Sequence, residues 1–221
     1  MGAAIGQILS FAIGVAVSPI PIIAVILMLF SRKATVNSVS FLVGWMFGLT
    51  LVGVIVLAVG LEASSGGESD TSGTAKLVIG ILFVGLAIKN WVGRPRGDEE
   101  PTMPGWMESI DDFNAAKSFG LAFVLAAINP KNLGLTIAAV ATISSSGLET
   151  GEEYIVLLVF VILASLTIIA PVVYNLVMGE KAEATLTEMK SWLISNNNVV
   201  MAVLLLIIGA KLIGDGISVL S

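Results

Sequence analysis

Two tetrapeptides, Ser18-Pro19-Ile20-Pro21 and Asn129-Pro130-Lys131-Asn132, carry the residue types that could do chemistry. Each lies near the middle of an apolar stretch long enough to cross a bilayer, where proline removes backbone hydrogen bonds and a lysine or asparagine is costly to leave facing lipid. Pro19, Pro21 and Pro130 can each free a carbonyl one turn back, and Ser18, Asn129 and Asn132 bring hydroxyl and amide groups to the same depth. Lys131 stands about 13 residues from either end of its span, roughly 20 Å at 1.5 Å per residue. Its ammonium cannot snorkel that far and needs a carboxylate, backbone carbonyls or a watery cavity. Two readings stand: a structural lysine satisfied by the carbonyls that the prolines release, or a group that meets a substrate or a coupling ion. Helices broken at these points would aim half-helix ends at the midplane, N-terminal ends attracting anions and C-terminal ends cations. Plain proline kinks, common in membrane helices, are the other explanation.

Secondary candidates lie nearer the end of the chain. Lys211 and Asp215 are four apart, share a helix face and can pair with each other. Pro171, followed by Tyr174 and Asn175, either bends its helix and lines a cavity or is a simple kink. The chain has no cysteine and no histidine. That removes thiol nucleophiles, thiol redox relays, the usual proton shuttle and the usual transition-metal ligand, so no metal and no cofactor are expected. The midplane offers no carboxylate pair and no nucleophile beside a base, so an enzyme is not expected either.

These groups must be positioned by membrane helices. With 56% hydrophobic and 12% charged residues and a mean hydropathy of +0.99, the chain is too apolar for a soluble globular domain and reads as a polytopic membrane protein. The net charge of −5 is concentrated in the segments 62–74 and 98–112. On the ruler of about 20 apolar residues per roughly 30 Å of hydrocarbon, six spans emerge, near 5–30, 36–61, 74–93, 118–144, 154–178 and 197–220. All are expected to be helices, because lipid cannot satisfy an open backbone. The start of the chain lacks the basic residues and cleavage site of a secretory signal, so the first span is expected to be retained.

Lysine and arginine set the orientation. Arg32, Lys33, Lys89, Arg94, Arg96, Lys117, Lys181 and Lys190 flank one side, while the other carries Lys76 beside Glu62, Glu68, Asp70, Glu149, Glu152 and Glu153. Both termini are therefore expected outside the cytoplasm, in a multi-pass protein of the cytoplasmic membrane. Two links on the inner side have helical spacing: Trp106, Ile110, Phe113 and Lys117 after the breakers Pro101 and Pro104, and Leu186, Met189, Trp192 and Leu193 farther on. Each is a helix lying in the interface or one packed beneath the bundle. Gly44, Gly48 and Gly53 around Trp45, with Gly80 and Gly85, suit close helix packing or a homodimer face.

The two motifs superpose without gaps at an offset of 111 residues, from Ser18 to Asn129. Gly48-Leu49-Thr50 and Ser165-Leu166-Thr167 occupy similar places in the second and fifth spans, as do residues 81–85 and 205–209 in the third and sixth. Three spans per unit is an odd number, so the second unit enters the membrane inverted. The expected domains are 1–93 as the first three-helix repeat, 94–117 as a cytoplasmic linker with an interfacial helix, and 118–221 as the second repeat, with an interfacial helix near 181–194. Lys131 has Ile20 as its counterpart, so one half brings charge and amides and the other freed backbone and apolar surface. That asymmetry suits an amphiphile better than an inorganic cation, which Lys131 would repel.

Six spans, the repeat and the paired motifs resemble the lysine-exporter (LysE) superfamily, and within it the GAP branch of glycolipid- and sulfolipid-addressing (Sap) proteins. The resemblance implies an exporter with a role in delivering lipid or glycolipid to the cell surface. It places Ser18, Pro19 and Pro21 on the first motif and Asn129, Pro130 and Lys131 on the second. The redox and metal-exporting relatives rely on cysteine or histidine-rich loops, which this sequence lacks. The expected function is an export carrier moving a lipid, glycolipid or similar amphiphile outward by alternating access. A small-solute exporter for an amino acid or ion is the first alternative. A non-transporting partner in envelope assembly, acting through the Trp106 and Trp192 helices, is the second. Partners are then the bilayer and the cargo, with no nucleic acid.

Overall fold

The computed structural model describes residues 1–59, 70–95 and 105–220. The acidic loop with Glu62 and Glu68, and the stretch holding Arg96, Pro101 and Pro104, lie outside the described residues. Among the described residues all regular structure is helical: α1 Gly2–Ala16, α2 Pro19–Leu29, α3 Ala34–Ala58, α4 Asp70–Val92, α5 Ala115–Phe123, α6 Pro130–Ser144, α7 Thr150–Met178 and α8 Glu183–Leu220. Two stretches are long and apolar enough to cross a membrane, Ala34–Ala58 and Thr150–Ser218, and two bent helix pairs pass the same test when each pair is taken together. This is a membrane protein.

The bent pairs fall where the prolines stand. α1 and α2 meet at 56°, with Pro19 and Pro21 on N1 and N3 of α2; the second pair, Ala115–Ile128 with Pro130–Ser144, meets at 60°. A proline cannot donate to the turn before it and its ring collides with that turn, so the helix restarts at the proline with a new axis. Ahead of Pro130 the backbone widens into a π segment, Val124–Ile128, where the Asn129 N–H reaches back five residues to the Val124 carbonyl at 3.0 Å. At 1.5 Å per residue each bent pair still advances about 35 Å, enough for a hydrocarbon core of roughly 30 Å.

The chain forms two compact units that do not follow its sequence halves. One contains α1, α2, α3, α5, α6, α7 and α8 up to Leu193; the other contains α4 and α8 from Ile194 onward. In the first unit α3 and α5 run parallel through a glycine face: a Cβ on Gly44 would strike the Phe119 backbone, and one on Gly48 would sit 3.0 Å from Ala126 Cβ. At the start of α3 the buried Asn37 amide donates to Ser31 Oγ and to the Phe113 carbonyl, each at 3.1 Å. Asn37→Ala is expected to lower stability by about 1–3 kcal/mol, because the Phe113 carbonyl loses its donor in a closed environment; thermal unfolding of the detergent-purified chain checks this.

The first inner link is helical from Gly105. The short 3-10 helix Gly105–Asp112 lies against α2 with Met107 and Ile110 buried. The second link differs from expectation, because no separate helix spans 181–194. Gly179 (φ 56) closes α7, a turn follows, and α8 then runs unbroken for 38 residues. Nothing between Leu193 and Val199 removes a donor or demands a positive φ, so helix continues through Asn196, Asn197 and Asn198. Leu186 and Leu193 are buried, whereas Trp192 is 56% exposed.

In the second unit α4 and the end of α8 are antiparallel and meet on glycines. A Cβ on Gly80 would lie 2.9 Å from the Gly209 carbonyl oxygen, and one on Gly216 would lie 2.8 Å from that of Gly73. Asn198 Nδ2 donates to the Gly93 carbonyl at 2.6 Å. A Cβ on Gly85, by contrast, would meet nothing within 4 Å.

Candidate functional site

Restarting a helix at Pro19 leaves the last carbonyls of α1 without their usual donors. The Ile13 carbonyl keeps the Val17 N–H at 2.9 Å. The Gly14 carbonyl loses Ser18 N–H, which turns to Ala16 instead at 2.9 Å, and the Val15 carbonyl would need a donor from Pro19, which has none. Side chains replace them in order. Lys131 Nζ donates to the Gly14 carbonyl at 2.8 Å, Ser18 Oγ is 2.7 Å from that of Val15, and Thr167 Oγ1 of α7 donates to that of Ala16 at 2.5 Å.

The second interruption meets the first at the same point. Lys131 Nζ also donates to Ser18 Oγ at 2.6 Å, and Asn132 Oδ1 lies 3.0 Å from that hydroxyl. Ser18 has one proton, which serves the Val15 carbonyl or Asn132 Oδ1 but not both at once. Asn132 Nδ2 holds the Leu125 carbonyl at 2.9 Å across its own break, and Thr136 Oγ1 bonds the Asn132 carbonyl at 2.8 Å. Asn129 caps α6, accepting the Lys131 N–H on Oδ1 at 3.0 Å. Ser18, Lys131 and Asn132 are 4%, 7% and 0% exposed, so water does not screen this cluster as it would a surface group.

The electrostatics differ from the expectation that half-helix N-termini attract anions. Prolines at N1 and N3 leave Ile20 the only N–H donor among the first three residues of α2, and at α6 Pro130 has no donor while Asn129 takes that of Lys131. Positive charge here comes from the Lys131 ammonium, and the α1 C-terminus supplies negative potential. Among the described residues no carboxylate pairs with Lys131; the Lys211–Asp215 pair at 3.0 Å belongs to the second unit, with both side chains 43% exposed. Nor is there, among the described residues, a cluster of acidic side chains placed to hold a metal ion.

Ser18, Lys131 and Asn132 are thus brought into contact, Pro19, Pro21, Pro130 and Asn129 shape the junction, and the secondary candidates stand elsewhere. Tyr174 bonds Thr185 Oγ1 at 3.4 Å, and Pro171 sits buried inside an α7 that continues past it. Thr167 was not among the expected site residues, although its place in Ser165-Leu166-Thr167, the counterpart of Gly48-Leu49-Thr50, was a usable signal. Thr167→Val keeps the volume but removes the hydroxyl from the Ala16 carbonyl. It is expected to destabilise the chain by about 1 kcal/mol, read from thermal unfolding in detergent.

No curated protein and no solved structure matches this chain. A family model described as Sap, sulfolipid-1-addressing protein, matches residues 8–218, nearly the whole sequence. Broken apolar helices that converge on one buried lysine are therefore found in a chain that belongs to the Sap, sulfolipid-1-addressing protein, family.

Proposed function

We propose that this protein is an export carrier of the cytoplasmic membrane that moves an anionic lipid, glycolipid or similar amphiphile outward by alternating access. The observation that carries the reading is the Lys131 ammonium, held on Gly14 and Ser18 at the junction of two broken helices with no carboxylate beside it among the described residues. A buried cation without a protein anion suits an acidic head group, and the broken helices suit a centre about which two repeats rock. The family, named for addressing a sulfolipid, supports lipid as the cargo class.

In this reading six spans form two inverted three-helix repeats, related to the lysine-exporter superfamily. Support comes from the matching form of the breaks, each a polar N-cap followed by proline at N1, and from the antiparallel contact of α4 with the end of α8. Both termini are extracytoplasmic. Lys190 stacks over Phe30 at 5.5 Å and Lys117 over Phe113 at 5.9 Å, while Asn37 joins Phe113 to the turn holding Arg32 and Lys33; these cations gather at one end of the first unit. The protein works without a cofactor and is not an enzyme.

The test is reconstitution of the purified chain into vesicles with a fluorescent anionic glycolipid, scoring its arrival in the opposite leaflet by a membrane-impermeant quencher. Transfer well above protein-free vesicles is expected. Flux of amino acids or ions without lipid transfer would replace the reading with the small-solute exporter. Neither flux, with stable co-purification of an envelope synthase, would replace it with the non-transporting partner.

A further inference from the structure

We infer that the oxygens around Lys131 form a monovalent-cation site, which the lysine ammonium itself fills in this conformation. Gly14 O and Ser18 Oγ lie 2.8 and 2.6 Å from Nζ, and two further oxygens flank the second of these, Val15 O and Asn132 Oδ1 at 2.7 and 3.0 Å from the Ser18 hydroxyl. Two are backbone carbonyls, one an amide carbonyl and one a hydroxyl, all neutral and all able to accept. Rings of such oxygens strip alkali cations of water, and unwound carbonyls at a half-helix C-terminus do so in carriers. The end of α1 adds negative potential on the same side.

An ammonium is a compact point charge on a flexible stem, so Lys131 acts as a cation tethered in that cage. One detail favours exchange over a permanent plug: Ser18 has a single proton for two acceptors, so an acceptor site stays open beside the lysine whichever way the hydroxyl turns. When Nζ swings away toward an anion, Gly14 O loses its donor and the cage is left with oxygens and no positive charge. A sodium or potassium ion then takes the place of the ammonium. Lysine and free cation exclude each other, so cargo that draws Lys131 off couples its own movement to entry of a cation.

The inference concerns the centre of the proposed carrier but is read by cation binding, in which transport plays no part. A failure of either reading leaves the other standing. The experiment is thermal unfolding of the full chain in detergent, titrated with NaCl or KCl against N-methyl-D-glucamine chloride at equal ionic strength. Lys131→Met, with the tether removed, is expected to show a saturable rise of about 5 °C or more for one alkali cation at a hundredfold excess over the titration midpoint. Wild type should show no cation-specific rise, and Lys131→Met combined with Asn132→Leu should lose it. Lys131→Gln is titrated in parallel, so that misfolding of one variant leaves the other to decide. Equal response to all three salts in the Lys131 variants overturns the inference, as does the same rise in wild type.

Discussion

Lys131→Met abolishes lipid transfer in reconstituted vesicles while leaving insertion and purification unchanged: that is the expected result, and the physics separates its two halves. A methionine replaces the lysine stem as far as Cε, one atom short of the ammonium and without its charge, and removing an ammonium from the membrane centre relieves about 2.5–3.5 kcal/mol of insertion cost. The Gly14 carbonyl and Ser18 lose a donor in exchange, which offsets part of that gain. Folding is therefore little disturbed. An anionic head group, however, loses a charge-assisted hydrogen bond of about 3 kcal/mol, so flux should fall roughly 100-fold. Near-wild-type flux from Lys131→Met would show that the lysine is structural and that the cargo does not use it. Lys131→Arg separates charge from shape: the guanidinium keeps the charge but needs a planar fork of acceptors, and the cage around Nζ is built for a point charge. It too should transport poorly.

The second large effect is on stability, and two glycines chosen by one sequence pattern should behave oppositely. A Cβ at Gly44 would fall 2.9 Å from Phe119 Cα and 3.0 Å from its carbonyl carbon, and backbone cannot yield as a flexible side chain can. Gly44→Leu should force α3 and α5 apart and cost about 3 kcal/mol or more, seen as a large drop in unfolding temperature or loss of the folded monomer. At Gly85 a Cβ meets nothing within 4 Å, so Gly85→Ala should be neutral or stabilising by up to about 1 kcal/mol through helix propensity. Equal damage from both would mean that Gly85 also faces a close partner, such as a second copy of the chain.

Much of the candidate site was legible because its signals are local. A proline has no N–H wherever it sits, so Pro19, Pro21 and Pro130 announced broken helices, and the breaks of 56° and 60° stand there. A lysine 13 residues from either edge of its span must find partners inside, and the expected class of partner, freed carbonyls, is what Nζ touches at Gly14. Less legible was the end of the chain. A helix near 181–194 and a span near 197–220 are separate in the sequence reading, yet asparagine lowers helix propensity only modestly and α8 passes unbroken through Asn196, Asn197 and Asn198.

By itself, then, the sequence determined what depends on covalent chemistry and on distance along the chain: helices long enough for a membrane, their two interruptions, and one ammonium too deep to reach water. Tertiary structure decided which carbonyl receives which donor. Gly14 and Lys131 are 117 residues apart, and Ala16 and Thr167 are 151 apart. No local rule pairs them, because each contact depends on how separate helices are rotated and how closely they approach. The same holds for the glycines, where Gly44 and Gly80 carry close packing and Gly85 does not. A glycine permits a close approach, but only the neighbouring helix determines whether one is made.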